Sequence, residues 1–261
     1  MVARDPNEPH RAASSLELLF DLVFVVAVSQ ASGALHHLWE EQHFVASLAA
    51  YAMVFFAILQ AWTNFTWFAS AYDTDDWLYR LTTFVQMAGA LTIAAGAQRA
   101  MLEGDWRAIV VGYVIMRVAM ASQWARAAIT DREYRGTCLR YMAGIVVVQI
   151  LWVLWSASAG PVWLFPVLAA ADLSVSPFAE RHRVTAFHHD HIAERYGLFT
   201  IIVLGESILA TANSIIGGLS LGGYMSLYGH ALHPERTRAL LIIDTGPGYR
   251  NDAARDAWNA T

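Results

Sequence analysis

Glu17 and Asp21 stand four residues apart in an apolar run, where a carboxylate needs a proton, a partner or a function. On a helix, Glu17, Asp21, Phe24 and Val28 share one face, so both acids point the same way. Ser14 and Glu17 fit the S-x-x-E capping box that satisfies free N–H groups at a helix start, which accounts for Glu17 by itself. Asp21 lies one turn deeper. It is either locked in a buried ion pair or hydrogen bond between helices, or part of a proton- or cation-binding site. Glu206 is a second deep acid: eleven residues beyond Arg195 at about 1.5 Å per residue, it lies roughly 16 Å into the membrane, about half a bilayer core. It is either a partly protonated, functional carboxylate or a neutral side chain that joins helices. Arg195, Phe199, Ile202 and Glu206 follow one helical face, although the distance excludes direct pairing of Arg195 with Glu206. Arg117, in the middle of another apolar run, requires a partner or a wet cavity, and Asp21 and Glu206 are its candidates by sign.

Two further clusters resemble metal sites and are better read otherwise. Asp73, Asp75 and Asp76 lack the Gly and terminal Glu of an EF-hand loop, so a solvated loop with an Arg80 pair is expected. His182, His188, His189 and His191 precede the last apolar run, with His188 and His191 three apart, but no H-E-x-x-H accompanies them. They read as interfacial histidines that titrate near neutral pH. Cys138, the single cysteine, excludes an intramolecular disulfide and a multi-thiolate site, and is expected to fill core space. No metal or cofactor is expected.

These groups are positioned by apolar segments. The 261 residues are 56% hydrophobic and only 15% charged, with a mean hydropathy of +0.37, where soluble proteins carry about 25% charged residues. The charges cluster between long apolar runs, as loops alternate with spans. The reading is an all-α polytopic membrane bundle of about seven helices, with spans near 16–36, 44–69, 81–98, 106–128, 138–158, 160–174 and 194–216. The sixth is short, and Pro161 and Pro166 near its start suit a re-entrant or tilted segment. Trp62 to Trp67 and Tyr72 to Tyr79 are placed in an interfacial aromatic belt. A cytoplasmic N-terminus puts Arg4, Arg11, Arg80, Arg126, Arg132, Arg135, Arg140, Arg181, Arg183 and Arg195 inside, leaving Arg99 and Arg107 outside among the loops between spans. Residues 1–13 form a cytoplasmic segment, 14–216 the membrane domain and 217–261 a polar, poorly ordered tail opened by helix-breaking Gly217 and Gly218. A net charge of −5 without a single lysine leaves no basic stripe for nucleic acid. The partners expected are membrane lipids, a proton or small cation, and a second copy in a homo-oligomer.

Three separated stretches carry a resemblance. Residues His191 to Leu209 resemble the "ERYGLFTIIVLGES" signature of the bacterial low temperature requirement A (LtrA) family, Leu16 to Val26 ("LELLFDLVFVV") its opening motif, and Trp62 to Met87 its second. The resemblance covers roughly residues 14–216 and implies a multi-pass protein of the bacterial inner membrane, an architecture rather than a reaction. Residue by residue it marks Glu17, Asp21, Asn64, Arg80, Glu194, Arg195 and Glu206. This chain departs from the pattern by turning polar after Tyr228, where family members continue with further spans, as a truncated or frame-shifted product does.

Three functions compete. Intramembrane ionisable groups favour a transporter or ion conductor in which Asp21 and Glu206 bind a proton or cation. A structural, envelope-adaptation protein uses the same charges as interhelical glue, worth about 0.6 kcal/mol per polar contact on average. An enzyme ranks last, because neither G-x-S-x-G nor H-E-x-x-H is present.

Overall fold

The computed structural model describes the backbone of residues 1, 3–5, 8, 11–40, 44–158, 160–212, 215–219 and 239–243, and the side chains of all of these except 36–40, 44–45 and those beyond 205. Among the described residues, eight helices follow one another: α1 (Ser15–Glu40), α2 (Phe44–Tyr72), α3 (Trp77–Glu103), α4 (Arg107–Thr130), α5 (Arg135–Ala157), α6 (Phe165–Leu173), α7 (Val175–Glu180) and α8 (His189–Ala212). A 3-10 turn, Val162–Leu164, leads into α6.

At about 1.5 Å per residue, the 23 residues of α5 extend roughly 35 Å and the 29 of α2 further still, more than a hydrocarbon core about 30 Å thick. Among the described residues, five stretches are both long and apolar enough to cross a membrane: Ser15–Leu35, Ala46–Tyr72, Arg107–Thr130, Arg135–Ala157 and Val162–Glu180. The expected span 81–98 falls in α3, and 194–216 begins in α8, which ends at Ala212. The sixth segment is longer than its sequence promised. Ser174 stays in right-handed helical geometry, so α6 runs into α7 and the segment continues to Glu180.

Local chemistry sets the helix ends. Asp76 caps α3 by accepting from the N–H groups of Leu78 and Tyr79, and Gly104 closes it at φ 70, a conformation costly for any residue with a Cβ. Gly89 and Gly112 let α3 and α4 approach closely: a Cβ at Gly112 would lie 2.5 Å from the Gly89 carbonyl oxygen. Further packing joins α1 to α2 and α3, α4 to α5, and α5 to α7.

The bundle buries several charged groups within a mainly apolar core and turns large apolar side chains outward. Glu17, Asp21, Arg117, Asp172, His191 and Arg195 are buried, while Leu22, Val118, Ile150, Leu154, Ile201 and Leu204 are exposed. Water would penalise that inversion and lipid rewards it.

The chain divides into two compact units, Met1–Glu206 and Ser207–Thr261. In the second, α8 ends at Ala212, four residues short of the expected boundary. Gly217 and Gly218 fall in a short strand, β1 (Ile215–Leu219), which pairs in parallel with β2 (Ala239–Ile243). The remainder of the expected tail lies outside the described residues.

Candidate functional site

The capping box forms as its spacing implies. Ser14 N–H donates to Glu17 Oε2 at 2.8 Å, and Glu17 N–H to Ser14 Oγ at 3.3 Å. Capping does not exhaust Glu17, because its other oxygen, Oε1, accepts from Arg195 Nη1 at 2.9 Å. One turn deeper, Asp21 Oδ1 accepts from Arg195 Nη2 at 2.6 Å and from Trp62 Nε1 at 2.7 Å, while Oδ2 accepts from Arg195 Nε at 3.1 Å. The face Glu17, Asp21, Phe24, Val28 is buried throughout. Arg195 reaches both acids because three and four residues of helix separate positions on one face, and its guanidinium fork spans that rise.

His191 completes the cluster, its Nε2 lying 3.2 Å from Glu17 Oε1. This corrects the reading of interfacial histidines, since His191 is fully buried and His188 nearly so. His188 Nε2 bonds the Glu8 carbonyl at 2.8 Å, and its Nδ1 accepts from the His191 backbone N–H at 3.2 Å. His182 and His189 remain exposed. Trp62, expected in an interfacial belt, is instead a buried donor to Asp21. Tyr72 and Tyr79 are buried as well, whereas Trp77 is exposed as a belt residue would be.

Arg117 has a partner that its sequence reading missed. It pairs with Asp172 of α6 rather than with Asp21 or Glu206. The Tyr113 hydroxyl, at 2.7 Å, and Trp152 Nε1, at 3.3 Å, also donate to Asp172, so a second buried acid–arginine site lies among α4, α5 and α6. Asp172 interrupts an apolar run much as Asp21 does, and that signal was available. The Glu206 side chain lies outside the described residues. Glu194 is exposed and apart from the cluster.

The loop acids separate, as a solvated loop should. Arg80 donates to Asp75 at 2.8 and 2.7 Å with both side chains mostly exposed, and those bonds lower the Asp75 carboxyl pKa. Arg126 holds Asp76 well below the usual carboxylate range. Burial pushes Asp73 up. Among the described residues no group of three His, Cys, Asp or Glu could hold a metal ion.

Asn64 lies elsewhere again, donating to the Gln60 carbonyl at 2.6 Å and lining a cavity of roughly 420 Å³ between α2, α4, α5, α7 and α8. Tyr196 borders this cavity. Its ring meets Trp62 edge-on at 4.9 Å, and its hydroxyl lies 3.4 Å from Thr63 Oγ1 and from Trp67 Nε1. Trp62, which donates to Asp21 and packs against Tyr196, and the backbone of Arg195–Tyr196 therefore connect the charge cluster to the cavity.

One end of the bundle gathers most of the arginines. Ala3 N–H donates to Asp131 at 3.2 Å, Arg4 N–H to the Ala71 carbonyl at 2.9 Å, and Arg11 to the carbonyls of Ala69 and Ser70. Arg126 crosses to Asp76, Arg183 to Glu133, and His188 N–H to Ser70 Oγ, which ties the N-terminal segment and three interhelical loops together.

A helical bundle with an apolar exterior and two buried acid–arginine sites is a multi-pass membrane protein. The chain belongs to the family of the bacterial low temperature requirement A protein (LtrA), whose model matches residues 12–230. It is also 28% identical over 233 residues to an uncharacterized protein of Rhizobium meliloti (strain 1021), a match that covers 84% of this chain and 55% of the relative. The chain thus spans about half the length of that relative. No solved structure matches it.

Proposed function

We propose that this protein is a proton-linked carrier of the bacterial inner membrane, with its N-terminus in the cytoplasm. The observation that carries the reading is the charge count of the buried cluster. Two carboxylates, Glu17 and Asp21, face one permanent cation, Arg195, with His191 against them. With both acids ionised and the imidazole neutral the cluster holds one net negative charge, and one proton brings it to zero. In a low-dielectric interior a neutral cluster is strongly preferred, so protonation belongs to the group as a unit rather than to one residue. Tyr196 passes the state of that cluster to the neighbouring cavity, because it follows Arg195 in the chain and leans on the tryptophan that binds Asp21.

A static interhelical lock is the second reading, and it has its own support: all four carboxylate oxygens of Glu17 and Asp21 accept hydrogen bonds. Purified protein in liposomes loaded with a pH-sensitive dye separates the two under an imposed membrane potential and pH gradient. A carrier moves protons, and Asp21→Asn abolishes that movement in protein that still inserts and folds. Absent flux from well-folded parent protein, with Asp21→Asn lowering only stability, makes the cluster a lock.

A further inference from the structure

The cavity beside Tyr196 differs in chemistry from both charge sites. Four aromatic rings border it, those of Trp67, Trp124, Tyr141 and Tyr196, and Glu180 is the one formally charged side chain among its described lining residues. No described arginine lines it. Trp124 and Tyr141 stack at 4.2 Å and 6° to form one wall.

Glu180 is held in place by a single oxygen. Oε1 accepts from the hydroxyl of Tyr141 at 3.0 Å, from Thr185 Oγ1 at 2.5 Å and from Thr185 N–H at 3.3 Å. No described residue donates to Oε2. The carboxylate has no arginine partner among the described residues, in contrast with Glu17, Asp21, Asp172, Asp75 and Asp76. Asn64 adds a second unused acceptor, since its amide nitrogen is spent on the Gln60 carbonyl and its Oδ1 is bonded to no described residue.

We propose that this cavity binds a small organic cation, an alkylammonium or quaternary ammonium compound. A positive charge satisfies the free Glu180 oxygen, and its N-methyl or methylene groups lie against ring faces whose quadrupoles attract cations. Anions meet a negative lining with no counter-charge. A bare divalent ion needs about six to eight oxygens and finds one free carboxylate oxygen and one amide. The volume falls within the range usual for small-molecule sites, about 300–1,000 Å³.

The site does not depend on proton coupling, so it is tested by equilibrium binding with no flux measured. Protein in lipid nanodiscs is titrated with choline and tetramethylammonium, and with 3,3-dimethylbutan-1-ol as the neutral isostere of choline, following tryptophan fluorescence and thermal unfolding. Saturable changes with the two cations and none with the alcohol are expected. Glu180→Gln weakens choline binding by about tenfold or more. Trp67→Leu, which leaves the carboxylate in place, weakens it too and serves if Glu180→Gln does not fold. Equal responses to choline and its neutral isostere, no saturable response to either cation, or a folded Glu180→Gln that binds like the parent would each overturn the assignment.

Discussion

Arg195 is the residue on which the buried cluster depends. Removing one partner of a buried ion pair costs about 3–5 kcal/mol because the other charge is left uncompensated. Arg195→Gln strands two carboxylates, so its unfolding free energy in detergent or nanodiscs should fall by an amount in that range. Adding Asp21→Asn should restore part of the loss, and strictly additive single and double mutants would mean the pair is uncoupled. Asp21→Ala should be more damaging than Glu17→Ala, since Asp21 receives two bonds from the Arg195 guanidinium and Glu17 one. The face of α1 that carries both acids could be read from spacing, because four residues return a helix to the same side. Their partner could not, as 174 residues separate Asp21 from Arg195 and periodicity holds no information about which helices become neighbours. Trp62 was misplaced for a related reason: an aromatic in the second half of an apolar run suits an interface or a buried donor equally, and only the position of Asp21 decides.

Helix ends and crossings are where elements become testable. Asp76 caps α3 and pairs with Arg126 of α4, so Asp76→Ala should cost about 1 kcal/mol for the cap, with the lost pair adding to it. The hydrogen bonds from Arg126 lower its pKa in the folded state. A lowered folded value means that the stabilisation is present above the unfolded value, near 3.9, and is lost as pH falls below it. The parent should therefore lose stability faster than Asp76→Asn in unfolding measurements between about pH 5 and pH 3. Equal slopes would remove Asp76 from the acid response. At the α3–α4 crossing, Gly112→Ala pushes a methyl against the Gly89 carbonyl and Ile93, and overpacking of that kind costs about 1–3 kcal/mol. Gly33→Ala meets nothing within 4 Å and should be neutral or slightly stabilising by thermal unfolding. Hydropathy located the helices well and their ends less well. The segment beginning at Val162 outran its expected limit because Ser174 is compatible with helix, and α8 stopped early where the chain turns to strand.

For the whole molecule, the apolar exterior was readable from composition, since a chain with so few charges cannot cover a soluble surface. Orientation follows from the end at which the arginines collect. A reporter fused after Arg135 should read cytoplasmic and one at Asp105 external, and the reverse pattern would invert the proposed topology. The bond between Asp21 and Arg195 also dictates an order of events during synthesis. At about 5–20 residues per second, the ribosome reaches Arg195 roughly 10–35 s after Asp21. Trp62 arrives much sooner, 41 residues after Asp21, and supplies the acid with its first hydrogen bond. Until then α1 carries an uncompensated carboxylate six residues past its start, inside a candidate span, where a charge is penalised. The first helix is therefore made before its counter-charge exists, and must wait at the insertion machinery, or carry a proton, until one of the last helices docks. Nascent chains arrested before α8 should crosslink to the translocon through α1 and release it once Arg195 has emerged.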